Sequence, residues 1–544
     1  MKIQPADGEF ARRPHDRLDP RHASPGGSIQ SSVLHPYFGG LKSVIPPMAR
    51  WGIFAAIALY CVAVGFLFAL LAPFVMVPFA VPIAALSMAV IWALPDIRNP
   101  PIAPLRMMFW IFFPALFLWP NYLAITLPGL PWITMIRLTG IPLVFLLLVC
   151  ASVSADFRSQ TSQVLRASPA LWKMLVIFVG IQFLSIFLSD QPANSLQKFI
   201  VAQLTWTSIF FVSCYIFLTP RSVIRWSFAF WLITCAVTAI GFLEYVQGKL
   251  PWAGHIPSFL QIEDEHVQRI LAGAFRDNKY RVQSTFSTSL GFAEFVALAL
   301  PFALHLTFSR QRIAIRVGAA LSIPLFLFIV IATGARLGLI GFIIGPLLYL
   351  AFWAVLRWRE SRGSLLAPAI AFAYPAIFCA MVASTFFVGR IRNKVWGNGT
   401  QTASTQGRIE QYETGIPKVF RHPEGYGIGM ASETLGSANQ AGIPSIDTYY
   451  LLVALDYGIL GFLAYYGMIL WSIYNATKYA FQGGGRDRDY GLFTPIAISL
   501  TIFFVIKAVF AQDSNHPLVF MMMGALAALI YRARRDEQAA QTTT

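Results

Sequence analysis

Runs of about 20 apolar residues, separated by short polar stretches, recur along the chain from Trp51 to Tyr531. One such run crosses the hydrocarbon core of a bilayer as an α-helix. Backbone in lipid must satisfy its own hydrogen bonds, so only helices or a closed barrel can span. The short alternating strands of a barrel do not occur in this pattern. The runs predict about fourteen spans, near 52–71, 74–94, 107–126, 135–154, 171–189, 198–217, 224–244, 289–308, 316–333, 338–356, 366–387, 449–475, 492–510 and 517–531. Pro73 and Pro78 offer an alternative in which the first pair forms one re-entrant hairpin. The chain therefore reads as an all-α polytopic membrane protein with 12–14 spans over residues 51–531. A polar, Pro- and Arg-rich disordered tail is expected over 1–50, with no cleavable signal peptide, and a short polar tail over 532–544.

Two long polar segments interrupt the spans, about 245–288 and about 388–448. The arginines and lysines between the other spans set the orientation. Arg310, Arg312 and Arg316, then Arg357, Arg359 and Arg362, then Lys478, Arg486 and Arg488, and finally Arg532, Arg534 and Arg535 fall on one side in alternation. The positive-inside rule makes that side cytoplasmic, together with both termini, and the two long segments periplasmic. A net charge of +16 with only 12% charged residues and a mean hydropathy of +0.61 fits this distribution. It gives no basic face for nucleic acid. Cys61, Cys150, Cys214, Cys235 and Cys379 all lie in apolar runs and read as small hydrophobes, without a disulfide or metal framework.

The outward-facing segments carry cations that orientation does not require. Arg276, Lys279 and Arg281 precede the span at 289, and Arg336 sits in the turn ATGARLG between Gly334 and Gly338. Arg390, Arg392, Lys394, Arg408, Lys418, Arg421 and His422 lie in the second long segment. A guanidinium fork suits bidentate binding of phosphate. The competing reading is that such arginines snorkel to lipid headgroups. It is the stronger one for Arg390 and Arg392, and the weaker one for Arg336 in its tight turn.

Three motifs together resemble the O-antigen ligase and polymerase family of bacterial envelopes: RVQSTFSTSLGFAEF at 281–295, TGARLGLIGF at 333–342, and GRIEQYETGIPKVFRHPEGYGIGM at 407–430 followed by DTYYLLVALDYGILG. The resemblance covers about 281–475. It implies a GT-C-like glycosyltransferase of the inner membrane, metal-independent and inverting, with no cofactor. The donor would be an oligosaccharide on undecaprenyl diphosphate at the periplasmic face, and the partners membrane lipid, a chain-length regulator and export proteins. Arg281, Arg336 and Arg408 would bind the diphosphate, since charge developing on a leaving group needs fixed cations. The family commonly begins its last span of this region with His-Asn, where the His is the proposed base of ligases. Here the pair is Asp447-Thr448, which points to a repeat-unit polymerase, with a ligase acting on lipid core or protein as the alternative.

Two carboxylates in DTYYLLVALDYGILG invite separate readings. Asp447 is either a helix N-cap or the general base toward an acceptor hydroxyl, with His422 as the rival base. Asp456 lies two turns further on. A charge there costs about 2.5–3.5 kcal/mol in the bilayer centre, so a buried pair with Lys507 is expected. Glu294 is buried by the same pattern without an evident partner. Two other classes remain open: a lipid-linked oligosaccharide flippase, which should show repeats and interrupted midplane helices, and a non-catalytic scaffold of an export complex.

Overall fold

The computed structural model describes Gly52, Ala55 and Leu59 and residues 76–96, 100–126, 132–276, 279–360, 365–389, 400–437, 445–482 and 487–542. The expected tail over 1–50, most of the first span, and Arg362, Arg390, Arg392, Lys394 and Arg486 lie outside the described residues. Helices dominate: α1 (Met76–Ala93), α2 (Ile102–Leu118), α3 (Met135–Val153), α4 (Ala155–Ala167), α5 (Pro169–Ser185), α6 (Pro192–Ala202), α7 (Ser208–Ile216) and α8 (Ser222–Gln247). After a short α9 (Glu265–Leu271) come α10 (Ser289–Phe308), α11 (Ile313–Ala332), α12 (Arg336–Glu360) and α13 (Leu366–Phe387). The chain continues through α14 (Thr400–Arg421), α15 (Ala431–Leu435), α16 (Tyr449–Gln482), α17 (Phe493–Ile506) and α18 (His516–Thr542). Among the described residues, strand is confined to two small antiparallel hairpins, β1 (Ala124–Ile125) with β2 (Ile133–Thr134), and β3 (Ala274–Arg276) with β4 (Lys279–Arg281).

Among the described residues, ten helices are long and apolar enough to cross a membrane, and Ile102–Leu118 and Pro368–Ser384 are shorter apolar helices. The structure thus supports an all-α polytopic membrane protein. Two elements escape hydropathy. Helix α4 is amphipathic, with Ser154 accepting the Phe157 N–H as its N-cap and Asp156 and Arg166 at opposite ends. A π-helical turn at Gln203–Thr207 joins α6 and α7 into one apolar element, Pro192–Ile216. The polar tail expected over 532–544 instead continues α18 as helix to Thr542.

Helices α10 and α18 form the centre. Their apolar windows are 89% and 94% buried, against 28% for α11 on the periphery. Glycines set the close crossings. A Cβ on Gly338 of α12 would lie 2.5 Å from the Ala293 Cβ of α10, and one on Gly524 of α18 would lie 2.6 Å from the Phe210 carbonyl of α7. At one end of the bundle, the one carrying the alternating basic turns, Arg532 binds Asp487 and Asp489, and Asp489 also accepts the Ile224 N–H at 3.0 Å.

The described parts of both long polar segments pack at the opposite end. The first builds a small core of Tyr122, Leu123, Leu250, Ile262, Val267 and Ile270 with the β1–β2 region. The second contributes α14 and α15, which pack Val419, Ala431 and Leu435 against Leu451 and Leu455 of α16.

Candidate functional site

Helix α16 is not one continuous helix. A continuous helix of 34 residues would run roughly 51 Å, far beyond a bilayer core of about 30 Å. It breaks at Gly458, whose φ is +67 and ψ −172. The expected span at 449–475 is thus made of two helices: Tyr449–Tyr457 is a separate short one, and the longer one follows Gly458. Helix α14 runs alongside the short helix in the same direction. Gly415 lets the Leu451 side chain approach, and Gln411 accepts the Asp447 N–H at 3.0 Å.

This packing brings Arg408 to Asp447, Nε to Oδ2 at 3.9 Å. Both are partly open, 32% and 47% exposed. The residue directly before the helix is Thr448, and the Asp447 carboxylate faces the guanidinium.

Arg281 and Arg336 are brought together by a different device. The buried Glu244 carboxylate, near the end of α8, accepts the N–H groups of Gln283 (3.1 Å) and Ser284 (2.6 Å) and the Tyr280 hydroxyl (2.6 Å). It shapes the turn after β4, in which Ser284 takes a φ of +53. Burial, then the Glu244 carboxylate, pushes the Tyr280 phenol upward, so the hydroxyl stays a donor. The turn presents Arg281 to the α11–α12 connection: its Nε donates to the Thr333 carbonyl at 2.8 Å, and Val282 N–H reaches Ala332 O at 3.3 Å. Arg281 lies across Gly334, where a Cβ would sit 3.3 Å from Nε and φ is +63. Arg336, half-buried, starts α12 two residues later.

A buried network links the two regions. Lys507 Nζ lies 3.0 Å from Glu294 Oε1 and 3.2 Å from Oε2, with both side chains 0% exposed. Asn515 Nδ2 donates to Glu294 Oε2 at 3.0 Å and to the Gly291 carbonyl at 2.9 Å. Lys507 also donates to the Gln512 carbonyl, lies 5.1 Å from the Tyr449 ring centre, and accepts the Tyr449 N–H on its own carbonyl at 3.1 Å. Segment 447–449 is thereby tied to α10, which follows Arg281. His516 completes this cluster, buried between Trp206 (4.8 Å, stacked) and Tyr449 (4.7 Å).

The expected Asp456–Lys507 pair is corrected. Glu294 is the partner of Lys507, because α10 and α17 pack directly against each other in the centre. Asp456 does a different job. Its carboxylate accepts the N–H groups of Gly429 (2.9 Å) and Ala431 (2.7 Å), and the carbonyls of Leu455 and Asp456 accept those of Tyr426 and Gly427. The turn PEGYGIGM thus docks into the break of α16. Gly425 and Gly458 allow the two backbones to touch, since a Cβ on Gly458 would lie 2.1 Å from the Pro423 carbonyl. On its other side the turn meets α6: Ser195 Oγ donates to Ile428 O at 2.8 Å, and Lys198 Nζ to Gly429 O at 3.0 Å.

His422 belongs to that turn. It is half-exposed, with Nδ1 3.1 Å from Glu424 Oε1. Hydrogen bonding by Glu424's own N–H, and then by His422, holds the Glu424 carboxyl below its usual range. Fourteen residues of helix separate His422 from Arg408, roughly 21 Å at 1.5 Å per residue. The two candidate bases therefore serve different places. Among the described residues, no group of three or more His, Cys, Asp and Glu side chains could hold a metal ion.

Sequence reasoning missed Glu244, the partner of Glu294, and His516. Two signals were available: an acidic residue in an apolar run demands a partner, and Lys507 was as near in type to Glu294 as to Asp456. No curated protein matches the chain. Residues 320–466 match the family model for O-antigen ligase, a stretch that holds the Arg336 turn, α14 with Arg408, the glycine turn and the broken helix. That match supports an O-antigen ligase/polymerase family and an O-antigen ligase- or polymerase-like activity.

Proposed function

We propose that the chain is a polysaccharide polymerase that transfers an oligosaccharide from a polyprenyl diphosphate to the end of a growing lipid-linked glycan on the periplasmic side. The observation that carries this reading is the half-open Arg408–Asp447 pair, at the same end of the bundle as the Arg281–Arg336 turn. An acceptor hydroxyl attacks the anomeric carbon, its proton passes to the Asp447 carboxylate, and the bond from that carbon to the diphosphate oxygen breaks. Arg336 and Arg281, with Arg408, stabilise the negative charge left on the diphosphate. Glu244 and the Glu294–Lys507 pair act as positioning residues for these groups. A polyprenyl tail stays in the bilayer, so the reaction needs only a site at the end of the bundle.

Purified protein incubated with lipid-linked repeat units should give a ladder of polymer. Arg281→Ala and Arg336→Ala should each remove most of it, because losing a charge-assisted hydrogen bond costs about 1.5–3 kcal/mol. Arg336→Lys keeps the charge but not the fork and should also be impaired. Full ladders from both alanine variants at normal expression would overturn the site, and transfer to a lipid-core acceptor without ladders would make the chain a ligase.

A further inference from the structure

The short helix Tyr449–Tyr457 cannot place itself. Helices below about 12–15 residues are marginal alone, and the break at Gly458 hinges this one on the rest of α16. At 1.5 Å per residue it is roughly 14 Å long, so a tilt of about 10° at Gly458 moves Asp447, just before its far end, by about 2 Å. That is a large part of the 3.9 Å between Arg408 and Asp447. Helix α14 steadies one side of the short helix, where Val419 shares a core with Leu451 and Leu455.

A second support comes from the π-helical turn Gln203–Thr207 between α6 and α7. Such turns are rare and recur at functional sites. In an α-helix, residues three apart lie on one face. The wider π-turn splays them, and Gln203 and Trp206 reach different helices. Gln203 meets α5: its Oε1 accepts the Thr207 hydroxyl at 2.8 Å, and its Nε2 donates to Gln182 Oε1 at 3.0 Å. Gln182 Nε2 in turn donates to the Tyr457 hydroxyl at 3.5 Å, and both residues are buried. Trp206 meets α18: its ring stacks on His516 at 4.8 Å, and the His516 ring lies 4.7 Å from that of Tyr449. His516 is itself held in orientation. Its Nδ1 lies 2.8 Å from the Asp513 carbonyl, which only accepts, so Nδ1 carries a proton and donates.

One turn therefore touches both ends of the short helix, Tyr457 through Gln182 and Tyr449 through His516. A buried chain of amides is satisfied in one register, whereas an apolar contact tolerates sliding. We propose that the π-turn sets the angle of the short helix, and that Gln203 and Trp206 are positioning residues for Asp447. This role rests on Asp447 being the base of the proposed transfer. Misplacing a reacting group by about 1 Å costs about a hundredfold in rate, so the turn acts on kcat rather than on substrate binding.

The test uses the full chain with lipid-linked repeat units. The variant Gln182→Met/Gln203→Met/Tyr457→Phe makes the amide chain apolar at similar length, and Thr207 keeps the carbonyls of its own turn as acceptors. Replacing all partners together is nearly neutral for stability, so the melting temperature should match the parent. Hydrogen exchange at the amides of 449–457 should rise about tenfold. In the same protein kcat should fall about tenfold or more, with KM within about twofold of the parent. Trp206→Leu should lower kcat in the same way, while Trp206→Phe, which still stacks, should keep it. Parental exchange or parental kcat in the triple variant, or equal kcat for Trp206→Leu and Trp206→Phe, overturns the proposal. Asp447→Asn, run alongside, separates the two readings. If it is inactive while the triple variant turns over fully, only the positioning role falls. If it turns over fully, Asp447 is not the base and the positioning role falls with it.

Discussion

Removing Lys507 provides the sharpest test of the interior. Lys507→Met leaves the Glu294 carboxylate in a fully buried position with Asn515 as its remaining donor. Breaking a buried pair from one side costs about 3–5 kcal/mol, which is roughly a hundred- to several-thousand-fold in the folded population. Glu294→Gln in the same chain removes the orphaned charge while keeping an acceptor for Asn515. The Gln512 carbonyl, also served by Lys507, stays without that donor in the double variant. Rescue should therefore stop about 1 kcal/mol short of the parent. The assay is the fraction of monodisperse protein left after a temperature ladder in detergent, read by size-exclusion fluorescence. Asp456→Asn should give no rescue, because Asp456 is held by the Gly429 and Ala431 amides rather than by Lys507. A wild-type melting curve for Lys507→Met, or equal rescue by Asp456→Asn, would refute the reasoning.

Gly458→Ala should abolish accumulation of folded protein, since the left-handed φ costs a side chain about 1–2 kcal/mol before the clash with the Pro423 carbonyl. Gly180→Ala, with no atom within 4 Å of the new methyl, should express normally. Asp447→Asn should express at parental levels but lose polymer formation, while His422→Ala should retain it; the reverse outcome assigns the base to His422. Cysteines placed at Ser258 and Thr414 should react with an impermeant reagent in intact spheroplasts and one at Gln538 only after lysis. Protection of the first two would invert the topology.

The local sequence determined what local physics can dictate. An apolar run of about 20 residues has one stable form in lipid, so the spans could be read without knowing their neighbours. Arginine spacing likewise gave the alternation of the turns. Arg281, Arg336 and Asp447 could be singled out because polar groups near the ends of apolar runs require a reason, whereas Arg408 came from the family resemblance of its segment. Pairing could not be read in this way. Glu294 and Asp456 are both carboxylates in apolar runs, and which of them meets Lys507 depends on α10 packing against α17 across more than 200 residues of chain. Gly458 looks in sequence like any small residue at a helix crossing; only the docked PEGYGIGM turn makes its left-handed backbone necessary. Glu244 shows the same division. Missed in the sequence, it shapes the turn that presents Arg281 through three donors 36 to 40 residues away. Interior hydrogen bonds and ion pairs join groups that only the packed bundle brings within 3 Å, so their partners belong to the tertiary structure, whereas the need for a partner was already written in the sequence.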